Sequence, residues 1–278
     1  MDSNQDRAKQ LQDQNRRIAE SLKRIKNRIV VFSGKGGVGK TTVAVNLAYA
    51  LIQKKQKVGL LDADITGPNV PKMAGLEGIP RVDQEEHTIL PMEKEGLQII
   101  SMAPMMPADQ PVVWRGPLRS GAITQFLSDV IWGDLDFLLA DLPPGTGDEV
   151  LTAAQRMLPQ MAVVVTTPQE ISLMDCRRAV NMAKKLNIPV IGVVENMSGL
   201  ICPHCEKEID LFGKGGGERM AKELDVNFLG AIPMEVEMRM GGDSGKPVVL
   251  DGRDSRTAAS FNTIADNIIH VLGKTEDH

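Results

Sequence analysis

Residues 6 to 27 contain no helix breaker, and Leu11, Ile18, Leu22 and Ile25 recur at spacings of seven, four and three. That periodicity predicts a helix with one apolar stripe; its other faces are polar and basic. Such a helix either docks on a domain or is read by a partner. From Arg28 onward the period changes. Short β-branched runs (IVVFS, VGLLD, LQIIS, FLLAD, AVVVT, VIGVVE and NFLGAI) alternate with longer helical stretches. The alternation predicts an α/β fold, a mostly parallel sheet with helices on both faces. The expected organisation is an amphipathic helix over residues 1–27 and one domain over residues 28–278. Pro68, Pro71, Pro80 and Pro91 mark an irregular region before LQIIS, with a short hairpin expected around His87 to Met92. Far downstream, Phe261, Ile264, Ile268 and Leu272 trace a core-facing stripe. Open α/β sheets bind ligands at the carboxyl ends of their strands, so chemistry is expected along that edge.

The first run delivers it. IVVFS passes into GKGGVGKTT, Gly34 to Thr42, and then into the helical pattern VAVNLAYALIQ. Strand, glycine-rich loop and helix in that order are the context of a phosphate loop of the Walker A type. Gly34, Gly36, Gly37 and Gly39 let backbone N–H groups of the loop, Val38 included, close around the phosphates of ATP, and the helix start adds its positive dipole. Lys40 is expected to neutralise the β- and γ-phosphates, and Thr41, ahead of Thr42, to ligate magnesium. VGLLD leads into DADITGPN, where alternation puts Asp62 and Asp64 on one side of an extended segment. Asp64 is the candidate for orienting the attacking water and Asp62 for holding magnesium through water; turn formation is the plain alternative. FLLAD ends at Asp141, the Walker B candidate, and Gly145 in the following LPPGTGD can offer its N–H to the γ-phosphate. VIGVVE ends beside Asn196, whose amide offers a donor and an acceptor to a purine edge or merely caps a turn.

Composition adds exclusions. With 278 residues and 42 % hydrophobic content the chain suits one large domain. A net charge of -4 disfavours wholesale binding to nucleic acid or acidic lipid. The N-terminus lacks a leader pattern and no apolar run approaches 18 residues, so a cytoplasmic protein without membrane or nucleic-acid partners is expected. Three cysteines are too few for a disulfide framework, and Cys202 and Cys205 form a CPHC pair. Cysteines so spaced on a turn can aim both sulfurs at one metal. Zinc and a [4Fe-4S] cluster each take four ligands, and a two-fold dimer would supply the missing pair. A bridging cluster, a bridging zinc and a redox dithiol all stay open. His204 reads as a loop residue and Cys176, in a helical pattern, as packing. FGKGGG, Phe212 to Gly217, lacks a following Lys-Ser/Thr and reads as a helix-entry turn. Methionines cluster at Met102, Met105 and Met106 and at Met234, Met238 and Met240, as core filling or as an adaptable surface. Arg115 in WRGP can pair across a dimer, with a phosphate, or in a structural ion pair.

Lys35, directly after the first glycine of the loop, gives a form that resembles the deviant Walker A family of cell-division positioning, plasmid-partition, arsenite-pump and nitrogenase iron-protein ATPases. That resemblance implies a homodimer enclosing two nucleotides, with Lys35 reaching the phosphates bound by the partner subunit and acting in hydrolysis with Lys40 and Asp64. It also implies that Asn196 contacts adenine. DADITGPNVP, WRGPL, QFLSDVIWGDLD, DLPPGTGDE, VVTTPQE, ENMSG, CPHC, FGKGGG and GDSGKP follow in one order, and over about residues 28 to 255 the chain resembles the Mrp/ApbC family of iron-sulfur cluster carrier ATPases. The resemblance implies a [4Fe-4S] cluster held by Cys202 and Cys205 of two subunits and passed to apo-proteins, with a cluster-assembly scaffold as a further partner. Two rival functions fit less well. A positioning or partition ATPase would end in a basic amphipathic helix or carry a basic surface, whereas this chain ends in KTEDH and is acidic. A reductase like the nitrogenase iron protein has its cluster cysteines in two separated segments.

Overall fold

Pairing across the sheet decides where the first helix ends. The computed structural model describes residues 2–105, 114, 116–202, 204–205, 207–251 and 255–276. Helix α1 spans Asp2–Lys23 and strand β1 spans Ile25–Phe32. The helix thus stops short of residue 27. Ile25, expected to close the helical stripe, pairs with Leu135 in a parallel ladder and is buried there. Ile18 and Leu22 are buried as expected, whereas Leu11 is 51 % exposed.

The chain continues through α2 (Lys40–Gln53), β2 (Val58–Asp62), α3 (Val70–Ala74), β3 (Arg81–Asp83), β4 (Thr88–Leu90), β5 (Met92–Lys94) and β6 (Leu97–Ile100). The hairpin expected near His87 to Met92 is the antiparallel pair β3–β4, while Met92 opens a second hairpin, β5–β6. Then follow α4 (Gly116–Asp129), β7 (Leu135–Asp141), α5 (Asp148–Met157), β8 (Met161–Thr166), α6 (Glu170–Lys185) and β9 (Val190–Glu195). The last part holds β10 (Leu200–Ile201), β11 (Glu208–Ile209), α7 (Gly216–Glu223), β12 (Asn227–Ala231), α8 (Val236–Ser244) and α9 (Arg256–Glu276).

The main sheet has the order β12-β9-β8-β1-β7-β2-β6-β5. Its strands run parallel except β5, an antiparallel edge strand. Burial on both faces explains the unbroken apolar runs in the sequence. Along β1, Val30 and Phe32 face a layer with α1, α4, α5, α6 and α7, while Ile29 and Val31 face a layer with α2, α3 and α9. The stripe Phe261, Ile264, Ile268 and Leu272 lies inside the second layer. Because β1 sits mid-sheet between β8 and β7, the loop that leaves it opens where the strand order turns, the usual ligand position in open sheets. No described helix is long and apolar enough to cross a membrane.

Candidate functional site

The loop between β1 and α2 is wedged against its neighbours. A Cβ on Gly34 would lie 2.1 Å from the Asp175 carbonyl oxygen, and one on Gly39 would lie 2.3 Å from Asn196 Nδ2. Gly39 also has φ +79, in the left-handed region. Lys40, the first residue of α2, is almost buried, and its Nζ donates to Asp141 Oδ1 at 2.6 Å. The Thr41 hydroxyl donates to Asp141 Oδ2 at 2.7 Å. Asp141 is fully buried, and burial raises its carboxyl above the usual range against the opposing pull of Lys40 and Thr41. Asp62 stands beside it in register and accepts from the Ser101 hydroxyl at 2.9 Å and from the backbone N–H groups of Asp64 and Val70 at 3.3 Å. Burial, and then the charge of Asp141, push Asp62 up to about 8. Two buried carboxylates therefore share one lysine beside a threonine hydroxyl, an oxygen-rich donor set that fits magnesium.

Asp64 stands farther out, its Oδ1 accepting from the Thr66 hydroxyl at 2.9 Å and the Gly67 N–H at 3.3 Å. It lines a cavity of about 240 Å³ with Ser33, Gly36, Gly37, Gly39, Lys40, Thr41 and Thr42. Lys35 is half-buried. Its carbonyl accepts from the Ser33 hydroxyl at 2.8 Å, and among the described residues its amine has no ion-pair partner. Gly145 departs from expectation, because its N–H donates to the Ser33 carbonyl at 2.9 Å. The Leu142 N–H likewise donates to the Val31 carbonyl at 2.9 Å, so the β1–β7 ladder extends past Asp141 and occupies the donor expected to face the γ-phosphate.

Asn196 is fully buried at the end of β9, and only half of its expected role is open. Its Nδ2 donates to the Val38 carbonyl at 2.9 Å, holding the phosphate loop, while Oδ1 has no partner among the described residues. Asn196 lines a cavity of about 260 Å³ with Gly39, Thr42, Met73, Met197, Pro233, Met234, Met238 and Arg239. Gly39, Thr42 and Met73 line both cavities, so they form one trough with a polar phosphate end and an apolar end. A slot of methionines with one unpaired acceptor suits a flat base carrying an exocyclic amine. Sequence reading did not place Met73, Pro233 or Arg239 here. The available signal was position, since Pro233 follows β12 at the carboxyl edge of the sheet.

The cysteine pair sits at the tip of the β10–β11 hairpin, where Ile201 pairs with Glu208 and the Cys202 N–H donates to the Lys207 carbonyl at 3.0 Å. Both thiols are free; Cys202 is half-buried and Cys205 exposed. Hydrogen bonds from the backbone N–H groups of His204 and Cys205, and from the Cys205 side chain, lower the Cys202 thiol below its usual value. That favours the thiolate, the form that binds soft metals. Among the described residues no group of three or more His, Cys, Asp or Glu side chains could hold a metal. One chain therefore offers two thiols. Cys176 is buried in α6, its thiol pushed up to about 12 by burial, and serves packing. Of the methionines, Met234 and Met238 line the trough, Met102 packs against the core, and Met105 and Met240 are exposed. Met106 and Arg115 lie outside the described residues.

The chain is similar to known proteins along most of its length. A protein of Methanocaldococcus jannaschii named iron-sulfur cluster carrier protein is 50 % identical over 275 residues, 98 % of this chain and 94 % of that protein. One of the same name from Synechocystis is 48 % identical over 253 residues, 90 % of this chain and 72 % of its own length. Among solved structures, a nucleotide-binding protein of Archaeoglobus fulgidus in complex with ADP, with cobalt found by PIXE, is 37 % identical with a TM-score of 0.76, covering 89 % of this chain and 96 % of that one. The cell-division ATPase MinD of Pyrococcus furiosus, 24 % identical with a TM-score of 0.65 over 88 % of this chain and 99 % of that one, shares the fold. The family described as ParA, NUBPL iron-transfer P-loop NTPase, matches residues 24–269, and this chain belongs to it.

Proposed function

We propose that this protein binds and hydrolyses ATP with magnesium and carries a [4Fe-4S] cluster to apo-proteins in the cytoplasm, receiving it from an assembly scaffold. The observation that carries the reading is the free thiol pair on a hairpin that rises just after Asn196, the residue that closes the nucleotide trough. Iron transfer in the family and ADP on a relative with the same fold support the two halves of the proposal.

In this reading Lys40 turns from Asp141 to the β- and γ-phosphates, and Thr41 and Asp141, with Asp62 behind them, hold the magnesium that screens phosphate charge. Asp64 orients the attacking water from the wall of the phosphate cavity. Lys35 reaches across a homodimer to the partner's phosphates, as an arginine finger does. The unpaired Asn196 Oδ1 accepts from the adenine amine. Two thiolates per chain leave a four-ligand cargo half-held, so Cys202 and Cys205 of two subunits together hold one cluster.

The test is anaerobic reconstitution of the wild type and of Cys202→Ala and Cys205→Ala, followed by iron analysis and by transfer to an apo-client with and without ATP. About four irons per dimer are expected in the wild type and none stably held in either variant, because each variant removes two of the four ligands. A full cluster in either variant, or zinc alone in the wild type, would sink the carrier reading.

A further inference from the structure

The turn FGKGGG has the glycine content of a second phosphate loop without the lysine and hydroxyl that should follow. In the folded chain its anion is internal. Glu195, the last residue of β9, is fully buried, and its carboxylate accepts three hydrogen bonds. Oε1 takes the Ser198 hydroxyl at 2.6 Å and the Gly215 N–H at 2.9 Å, and Oε2 takes the Gly217 N–H at 2.6 Å. The Gly217 N–H belongs to the first turn of α7, where backbone donors have no partner within the helix and the dipole favours negative charge. The approach is close: a Cβ on Gly217 would stand 3.1 Å from Glu195 Cβ, tight enough that the glutamate side chain would have to give way by a few tenths of an ångström.

These bonds close a loop. Residues 195 to 217 leave β9 and return to it through one carboxylate, and the β10–β11 hairpin with its two cysteines is what projects between. Further ties brace the base: Lys214 pairs with Glu208, the Ser198 N–H donates to the Ile232 carbonyl at 2.9 Å, and the Met234 N–H to the Gly199 carbonyl at 2.8 Å. The next residue grips the other site, since Asn196 Nδ2 donates to the Val38 carbonyl of the phosphate loop at 2.9 Å. Successive side chains at one strand end therefore hold the two sites.

We infer that Glu195 is the positioning residue of the cysteine pair, a carboxylate clasp that fixes the stance of the β10–β11 hairpin relative to the phosphate loop. Its carboxylate is engaged by three donors and it has no exposed surface to offer a ligand, so it acts through the hairpin. The metal arm of the test below rests on the proposed function; the exchange arm does not.

Glu195→Gln keeps the volume but turns an NH₂ toward one of the three donors, so at least one contact is lost. Glu195→Asp keeps the charge and both oxygens on a shorter stem. Three measurements on the full chain decide the matter: backbone hydrogen exchange, anaerobic cobalt(II) titration followed by the thiolate-to-cobalt absorption, and ATP affinity. For Glu195→Gln, exchange should quicken by about tenfold or more within residues 198–217, the effect of losing one charge-assisted hydrogen bond. Cobalt affinity should fall by at least about tenfold, as when an outer-shell partner of a metal ligand is removed. ATP affinity should stay near the wild-type value, and Glu195→Asp should recover part of the cobalt band. Unchanged exchange in residues 198–217, a cobalt–thiolate band of equal affinity in wild type and Glu195→Gln, or exchange quickened evenly through the core strands with ATP binding lost in step would each overturn the clasp. Local quickening without any cobalt–thiolate band in the wild type would support the clasp and sink the metal reading. If Glu195→Gln does not fold, Glu195→Asp is judged by the same criteria.

Discussion

Lys40 sits between two needs. Its ammonium is held by Asp141 in an ion pair buried on both sides, and Asp62 lies close behind with no cation of its own among the described residues. One positive charge for two buried carboxylates is a deficit, and Asp62 meets it by keeping its proton, with a folded-state value of about 8 against an ordinary 3.8. In the unfolded chain the same carboxyl ionises near 3.8, so between about pH 4 and about pH 8 the folded state holds a proton that the unfolded state has released. Stability from this group is then full below the lower value and declines as pH rises towards the upper one. Asp62→Asn removes the titration while keeping an acceptor for the Ser101 hydroxyl. The nucleotide-free variant should gain stability relative to wild type as pH rises through that window, measured by urea unfolding without magnesium. A wild-type-minus-variant difference that is flat with pH, or that grows in favour of the wild type, would falsify the assignment.

Helix α1 shows how an element can be legible in kind and misread in extent. Its apolar stripe is real, but Ile18 and Leu22 carry it, at 5 % and 7 % exposure, while Leu11 is 51 % exposed. Ile18→Ala should therefore destabilise by about 2–5 kcal/mol, the cost of a large-to-small change in a packed site. Leu11→Ala should fall within about 0.5 kcal/mol of wild type in the same urea titration. Equal losses at the two positions would mean that the helix docks along its whole stripe. The end of this helix was missed because IKNR has no apolar run, and only pairing with β7 makes it a strand. The remaining parallel strands were legible because a sheet covered on both faces writes continuous apolar segments. Local patterns were legible too, since the glycine-rich loop and the spacing of Cys202 and Cys205 each lie within a few residues, whereas Asp141 stood out only as the polar end of an apolar run and meets Lys40 and Thr41 through the pairing of β1 with β7. What escaped depends on distant pairing. The engagement of Gly145 needs the neighbour relation of β1 and β7, and the apolar end of the trough gathers Met73, Met197 and Met238 from separate elements. Glu195 escaped for the same reason, because its donors at Gly215 and Gly217 lie beyond the whole cysteine hairpin.

At the scale of the whole molecule, two features stay incomplete in one chain. The cysteine pair offers two free thiols where a closed four-ligand site would need four, and Lys35 stands in the phosphate loop with no anionic partner among the described residues. A two-fold dimer would answer both, and complementation between inactive variants separates that arrangement from one in which each chain serves itself. Lys35→Ala and Asp64→Ala should each keep ATP binding and lose hydrolysis, because both groups act on the transition state. In a heterodimer of the two, the site on the Lys35→Ala chain still has its own Asp64. If the lysine acts across the interface, that site also receives the intact Lys35 of the other chain and is whole. The opposite site lacks both groups. Random mixing makes half of all dimers heterodimers, each with one whole site, so turnover should return to about a quarter of the wild-type rate. If Lys35 serves its own chain, every site in the mixture lacks one group and no turnover returns. Differently tagged chains verify that heterodimers have formed, and an inactive mixture containing them would leave Lys35 a role only within its own subunit.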